Sequence, residues 1–235
     1  GDELKLPESI LPLADGVKEK LENVRRWRAR VESIRKEASS DEGWELQRDE
    51  ESCRVMYQMT DNCDCCRIRL EGDVDAPLFD VIALLYEVEL WSTWVPSLGG
   101  LGLSDVVRLG ESSPINMSVH LEIGLPWPVS NRIYRFAVDG IDCFHPLDSP
   151  KQVVVMLDSA EVARNVANLA PYDAKAHGAV EGILFNSGVI ITPEEIRTDG
   201  GKGCFLQYVC QFDPKMMVPT WLLNLAVRNF CFMLM

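Results

Sequence analysis

The sequence predicts an α+β fold in which a curved antiparallel sheet of nine strands wraps a long C-terminal helix, with a further helix at the N-terminal end. Three observations predict it. Period-two alternation of apolar and polar residues runs through most of the chain between Trp44 and Phe212. Helical periodicity is confined to the two ends and one interruption after Asp75, so strands never alternate one-for-one with helices, and a parallel doubly wound sheet is excluded. The run Val218 to Met235 is apolar around most of its girth, and such a helix needs cover on more than one side.

In chain order, Val17, Leu21, Val24, Trp27 or Arg28, Val31, Ile34 and Ala38 recur at spacings of three and four, with charged residues between them. That spacing predicts an amphipathic helix of about six turns. Its basic run Arg25, Arg26, Arg28, Arg30 reads either as a lipid-headgroup patch or, favoured by the acids Glu22 and Glu32 on the same helix, as a solvated face. After Ser39-Ser40-Asp41 the period changes to two, and Trp44–Asp49, Cys53–Thr60 and Cys65–Val74 are expected to be strands. Asp75-Ala76-Pro77 signals a helix start, with Leu78, Val81, Ile82 and Leu85 on one face. A short helix or turn holds Leu90 to Trp94. Strands follow at Ser104–Leu109, Ile115–Ile123, Ile133–Cys143, Val153–Asp158, Ile183–Thr192 and Cys204–Phe212. Glu161 to Gly182 breaks the rhythm and is expected to be a short helix and a loop. The last helix runs from about Thr220 to the end. Residues 1–16 are expected to form an N-terminal extension and 17–235 one domain, with an adjacent domain in a longer protein.

Composition narrows the function. A formal net charge of −13 argues against a nucleic-acid partner, because binding a polyanion requires clustered Lys and Arg. Eight cysteines in a chain of 235 residues, with no secretory leader ahead of the first, read as reduced thiols of a cytoplasmic protein. Cys63, Cys65 and Cys66 lack metal-site spacing, so no metal and no cofactor are expected. Arg228 near the middle of the C-terminal run rules it out as a spanning helix. The histidines His120, His145 and His177 are scattered, His120 falls on the polar face of its strand, and no serine has nucleophile-elbow spacing, so no catalytic residue is assigned.

The strand faces then suggest an interior with room in it. Ile115, Met117, Val119, Leu121 and Ile123 alternate with Asn116, Ser118, His120 and Glu122; Tyr134, Phe136 and Val138 alternate with Arg135 and Asp139; Leu206, Tyr208, Cys210 and Phe212 alternate with Gln207 and Gln211. Each strand has one face to bury. A curved sheet gripping one helix tends to leave space that side chains do not fill, and an apolar guest is the natural filler. A guest burying on the order of 400 Å² would gain roughly 10 kcal/mol before association costs. The expected wall is Met117, Val119, Leu121, Tyr134, Phe136, Val138, Leu206, Tyr208, Leu222, Leu225 and Ala226.

Several motifs resemble START lipid-transfer domains of the helix-grip superfamily. Leu125-Pro126-Trp127-Pro128-Val129-Ser130-Asn131-Arg132, followed by Ile133-Tyr134-Arg135-Phe136, is similar to that family's P-x-P-x-s-x-R-d-(F/Y) loop and strand. Trp44-Glu45-Leu46, Leu90 to Pro96, and Phe212-Asp213-Pro214 continuing through Val218-Pro219-Thr220-Trp221-Leu222-Leu223-Asn224 also look like family positions, in family order, over roughly Val17 to Met235. The resemblance implies a noncatalytic cavity for one lipid, gated by residues 124–131 and the closing helix. Pro126, Trp127, Pro128 and Val129 would make transient membrane contact, since prolines restrict the loop and an exposed Trp partitions into an interface. Sterol-binding members carry a buried acid facing an arginine, but Val138 stands where the arginine would fall, so the lipid class stays open. A lipid-sensing regulatory module and, less favoured, a cyclase or hydrolase on the same fold are the alternatives.

Overall fold

The computed structural model describes residues 11–50, 53–59, 65–95, 97, 99–113, 115–144, 150–161, 174, 177–194 and 203–233, with the backbone alone for 11–16, 19, 220 and 228–233. Four helices are described: α1 (Leu11–Ser39), α2 (Leu78–Tyr86), α3 (Trp91–Trp94) and α4 (Thr220–Met233). The strands are β1 (Glu45–Glu50), β2 (Cys53–Met59), β3 (Cys66–Val74), β4 (Gly102–Ser113), β5 (Asn116–Gly124), β6 (Arg132–Cys143), β7 (Gln152–Asp158), β8 (Val180–Glu181), β9 (Ile183–Pro193) and β10 (Cys204–Asp213).

They form one sheet in the order β1-β2-β3-β10-β9-β7-β6-β5-β4. Every neighbour along that path is antiparallel. The nine expected strands are all present, within a few residues of their expected ends. The tenth, β8, was not expected: two residues that pair parallel with the start of β6 are too short to show any period. Register shifts at Leu46/Arg48, Leu103/Asp105, Arg108/Gly110, Glu111/Ser113 and Val209/Gln211 accommodate bends and extra twist in an open sheet.

α1 begins at Leu11, six residues ahead of the expected start, and among its described side chains the buried ones belong to its C-terminal half. Val31, Ile34 and Ala38 are buried with Val154, Met156, Ile190 and Val209 on the outer face of the sheet. Most of the carbonyls orphaned at its end find donors. Arg69 donates to Glu37 O at 3.2 Å and to Ser40 O at 2.7 Å, Gln207 donates to Ala38 O at 3.2 Å, and Ser40 N donates to Lys36 O at 3.2 Å. The Arg67 and Arg69 guanidiniums lie 5.1 and 5.3 Å from the Trp44 ring centroid, which gives Trp44 a structural role at the start of β1. Ile34 reaches the sheet where Gly188 leaves room: a Cβ there would stand 2.8 Å from Ile34 Cδ1 and 2.7 Å from Val155 O.

The inner face has two covers. α2, opened by Pro77 at its N-cap, lays Val81, Leu78, Ile82 and Leu85 over Val189, Ile191, Cys204 and Leu206. α4 places Leu223 and Val227 in the main core with Val55, Ile68, Leu70, Val119 and Phe136.

Two expectations need correction. His120 and Ser118 are buried although they face away from the main core. Alternation reports which side of a sheet a residue faces, and not whether that side is covered. Ile115 is an exposed turn residue rather than the first residue of β5; its carbonyl accepts from Gly140 N at 2.8 Å. Most of the expected helix and loop between Glu161 and Gly182 lies outside the described residues, as does Cys63.

Candidate functional site

The expected wall residues divide among three places. Met117, Val119, Tyr134, Phe136 and Val138 are buried together in the main core, with Leu121 and Tyr208 partly buried against it. Leu206 lies under α2, in the neighbouring cluster. On α4, Leu222 is buried while Leu225 and Ala226 are half-buried, and the positions that reach the main core are Leu223 and Val227. Composition could not separate these, because α4 is apolar at nearly every position and only its docking angle selects a face. Val55, Ile68, Leu70, Val155, Leu157 and Cys210 also belong to the inner wall. Their signal was the same alternation, on strands whose partners were not legible.

This inner wall is chemically uniform. Inner positions of β5, β7 and β10 and the Tyr134–Val138 stretch of β6 present hydrocarbon, phenol and thiol, with no ionised side chain. Its polar groups are few and deep. Burial drives the phenol of Tyr134 well above its ordinary pKa and does the same to Tyr208. The Cys210 thiol is pushed up to about 11, again chiefly by burial. Both phenols and the thiol therefore stay neutral at physiological pH. The indole Nε1 atoms of Trp91 and Trp94 are buried without a hydrogen-bond partner among the described residues, and Trp91 packs against the main core. Tyr134 meets Phe212 edge to face at 6.1 Å. Gly182 is required beside it, since a Cβ there would lie 2.5 Å from Tyr134 Cε1 and 2.8 Å from Asp213 O.

At one end of the wall, three segments converge around a single buried cation. Arg132, the first residue of β6, donates through Nε to Pro214 O at 2.6 Å and through Nη1 to Ser130 O and Asn131 O, and its Nη2 lies 2.7 Å from Met216 Sδ. It thereby ties the 124–131 loop to the segment that leads into α4. Asn131 holds the other root of the loop: its amide donates to Glu122 at 2.6 Å and its oxygen accepts from Leu125 N at 3.3 Å. Gly100, with φ +89°, packs its backbone against the loop, since a Cβ there would stand 3.3 Å from Pro126 Cα. Above these anchors, Trp127 is 92% exposed, Met217 75% and Trp221 50%. Pro128 is exposed too, whereas Pro126 and Val129 are half-buried.

An open cleft of about 420 Å³ lined by Arg135, Ser159, Glu181, Gly182, Ile183 and Lys215 pairs Arg135 with Glu181 at 2.8 Å, and Lys215 binds Asp213 at 2.6 Å. Among the described residues no cluster of His, Cys, Asp or Glu could hold a metal, and Cys204 and Cys210 are free thiols. No described helix is long and apolar enough to cross a membrane.

No family model matches the chain and no curated protein matches its sequence. Solved structures do match. Human STARD10 superposes with a TM-score of 0.59 at 17% identity over 83% of this chain and 71% of that one. The STAR-related lipid transfer protein of Xanthomonas axonopodis gives 0.58 at 19% identity over 82% and 94%. The lipid transfer and protein localization domain of human StarD13 gives 0.55 at 14% identity over 98% of both chains. The chain therefore has the START-type helix-grip fold that the motifs led us to expect.

Proposed function

We propose that the protein is a noncatalytic, cytoplasmic lipid carrier or lipid sensor that holds one lipid between the inner face of the sheet and α4. The 124–131 loop and α4 form its gate, and Trp127, Met217 and Trp221 touch a membrane transiently while the gate exchanges the guest. The observation that carries this reading is Tyr208. Its phenol lies deep in the molecule, where burial raises its pKa, yet its side chain is only partly covered. Accessible surface retained at that depth is what supports room for a guest beside Tyr208. Leu121, Val155 and Phe212, partly buried on the same wall, extend it.

The wall also favours a class of guest. A phosphate or ammonium carried inside would lose its hydration without meeting an opposite charge, which costs several kcal/mol or more. The buried portion of the guest is therefore uncharged, with Tyr134, Tyr208 and the Trp91 indole available for a hydroxyl or carbonyl, and any charged headgroup stays at the Arg132 end.

Organic extraction and native mass spectrometry of protein purified without detergent test the proposal. A copurifying lipid at one per chain is expected, lost in Phe136→Asp. A folded wild-type protein that neither carries nor takes up lipid from vesicles would sink the carrier and the sensor alike. Trp127→Ala should leave equilibrium occupancy unchanged and slow exchange with vesicles.

A further inference from the structure

The N-terminal half of α1 carries an apolar stripe that the fold leaves bare. Val17 is 61% exposed, Leu21 48% and Val24 55%, although their spacing continues the periodicity that buries Val31, Ile34 and Ala38. At about 100° per residue, this stripe is turned about 75° from the face that α1 buries, so it does not point at the sheet. The charges around it are sorted. Lys18, Lys20, Arg25 and Arg28 fall within about 100° of the stripe, whereas Glu19 and Glu22 lie more than about 130° away, on the side where Arg26 and Arg30 pair with Glu161 and Asp158. From Val17 to Arg30 there are six cations against two acids, in a chain of net charge −13.

The helix also has a direction. Arg35 Nε donates to Gln152 at the start of β7 at 3.1 Å, Arg30 meets Asp158 at its end at 3.3 Å, and Arg26 meets Glu161 beyond it at 3.7 Å. α1 thus runs antiparallel to β7, and its N-terminal half continues about 14 Å past Glu161 between Arg26 and Val17. That is the side on which β6 begins, because Ala137 pairs with Asp158 and Cys143 with Gln152. Arg132 and the Trp127 loop are on the same side.

We propose that the N-terminal half of α1 is an interfacial helix for an anionic membrane surface, with Val17, Leu21 and Val24 set among the acyl chains and Lys18, Lys20, Arg25 and Arg28 at the headgroups. A bare apolar stripe flanked by cations, with acids on the far side, fits a membrane interface. The locally positive charge is what lets an acidic protein approach such a surface, since screening confines its remaining negative charge to about a Debye length. Lys18, Lys20 and Arg25 at the margins of the stripe and Arg28 in line with it oppose pairing with a second copy, whose stripe would bring like charge against like. This surface is independent of the guest and of the inner wall.

The test is co-sedimentation of the full chain with phosphatidylcholine vesicles, and with vesicles in which about a third of the lipid is phosphatidylserine, at low and high salt. Wild type should prefer the phosphatidylserine vesicles and lose that preference in high salt. The triple variant Lys18→Gln, Arg25→Gln, Arg28→Gln should bind them on the order of a hundredfold more weakly, at roughly fivefold per cation near an anionic surface. Leu21→Asp should lose at least about tenfold, since a carboxylate would sit among acyl chains. Both should unfold at the wild-type temperature and retain any copurifying lipid, which separates this surface from the guest site, and Trp127→Ala should keep the phosphatidylserine preference. Equal affinity of wild type and the triple variant, or no phosphatidylserine preference in wild type, would overturn the proposal. So would a wild-type dimer that Leu21→Asp disperses while vesicle binding is unchanged, an outcome that assigns the stripe to a second copy.

Discussion

Under α1 the outer face of the sheet is held by Arg30, Arg35, Arg67 and Arg69, which reach Asp158, Gln152, Glu37 and the end of the helix around a small patch of Val31, Ile34, Val154, Met156 and Ile190. On the inner face Met117, Val119, Tyr134, Phe136, Ile68 and Leu223 meet without a charge among them, and several neighbours stay partly uncovered. The difference teaches what each face is for. Directional contacts fix α1 in one register on the outside. Non-directional apolar contact on the inside tolerates a change of occupant, as the proposed carrier would require.

The comparison can be sharpened by paired deletions. Ile34→Ala, beneath α1 with no exposed surface, should cost about 2–5 kcal/mol, as in a closed core. Leu121→Ala, partly uncovered on the inner face, should cost about 1–2 kcal/mol, because a partly uncovered side chain has less contact to lose. Urea unfolding measures both, and equal costs would remove the distinction between the faces. Arg69→Met should cost about 2–4 kcal/mol, since it strands the Glu37 and Ser40 carbonyls at the end of α1; a near-neutral result would show that water replaces the guanidinium. Gly188→Ala should lose about 1–3 kcal/mol by forcing a methyl against Val155 O and Ile34, and Ile34→Val in that background should recover part of it.

The smallest expected effect is pH-dependent. Burial lowers the pKa of His120, partly opposed by Asp105 and Glu122. Its folded-state pKa then lies below the unfolded value, so the unfolded chain takes up the proton first. Stability is complete above about pH 6.5 and declines as pH falls through that value toward the folded-state pKa. His120→Gln should flatten the thermal midpoint between pH 7.5 and 5.5, and an unchanged slope would assign the acid sensitivity to another group.

Much of this architecture was legible without coordinates. The β5 alternation Met117, Val119, Leu121, Ile123 and the Pro77 helix start both landed within a residue or two, because side-chain period and proline geometry are local properties. The motif from Leu125 to Phe136 was legible as well, but the structural role of its arginine was not. Arg132 looked like one motif letter among several, and only the return of the chain at Pro214 and Met216, eighty-odd residues later, makes it a clamp.

The inverse holds for α1. Its amphipathic period is written in the residues from Val17 to Ala38, yet the sequence cannot say that half of the stripe is covered and half is bare. Likewise the apolar girth of α4 announces a helix that must be gripped, while the choice of Leu223 and Val227 over Leu225 and Ala226 belongs to the docking angle. The sequence by itself determined the elements, their faces and their order, since these follow from local sterics and from which residues avoid water. Only the tertiary structure decided which faces meet, because burial is a property of pairs of surfaces and one strand or helix carries half of the information.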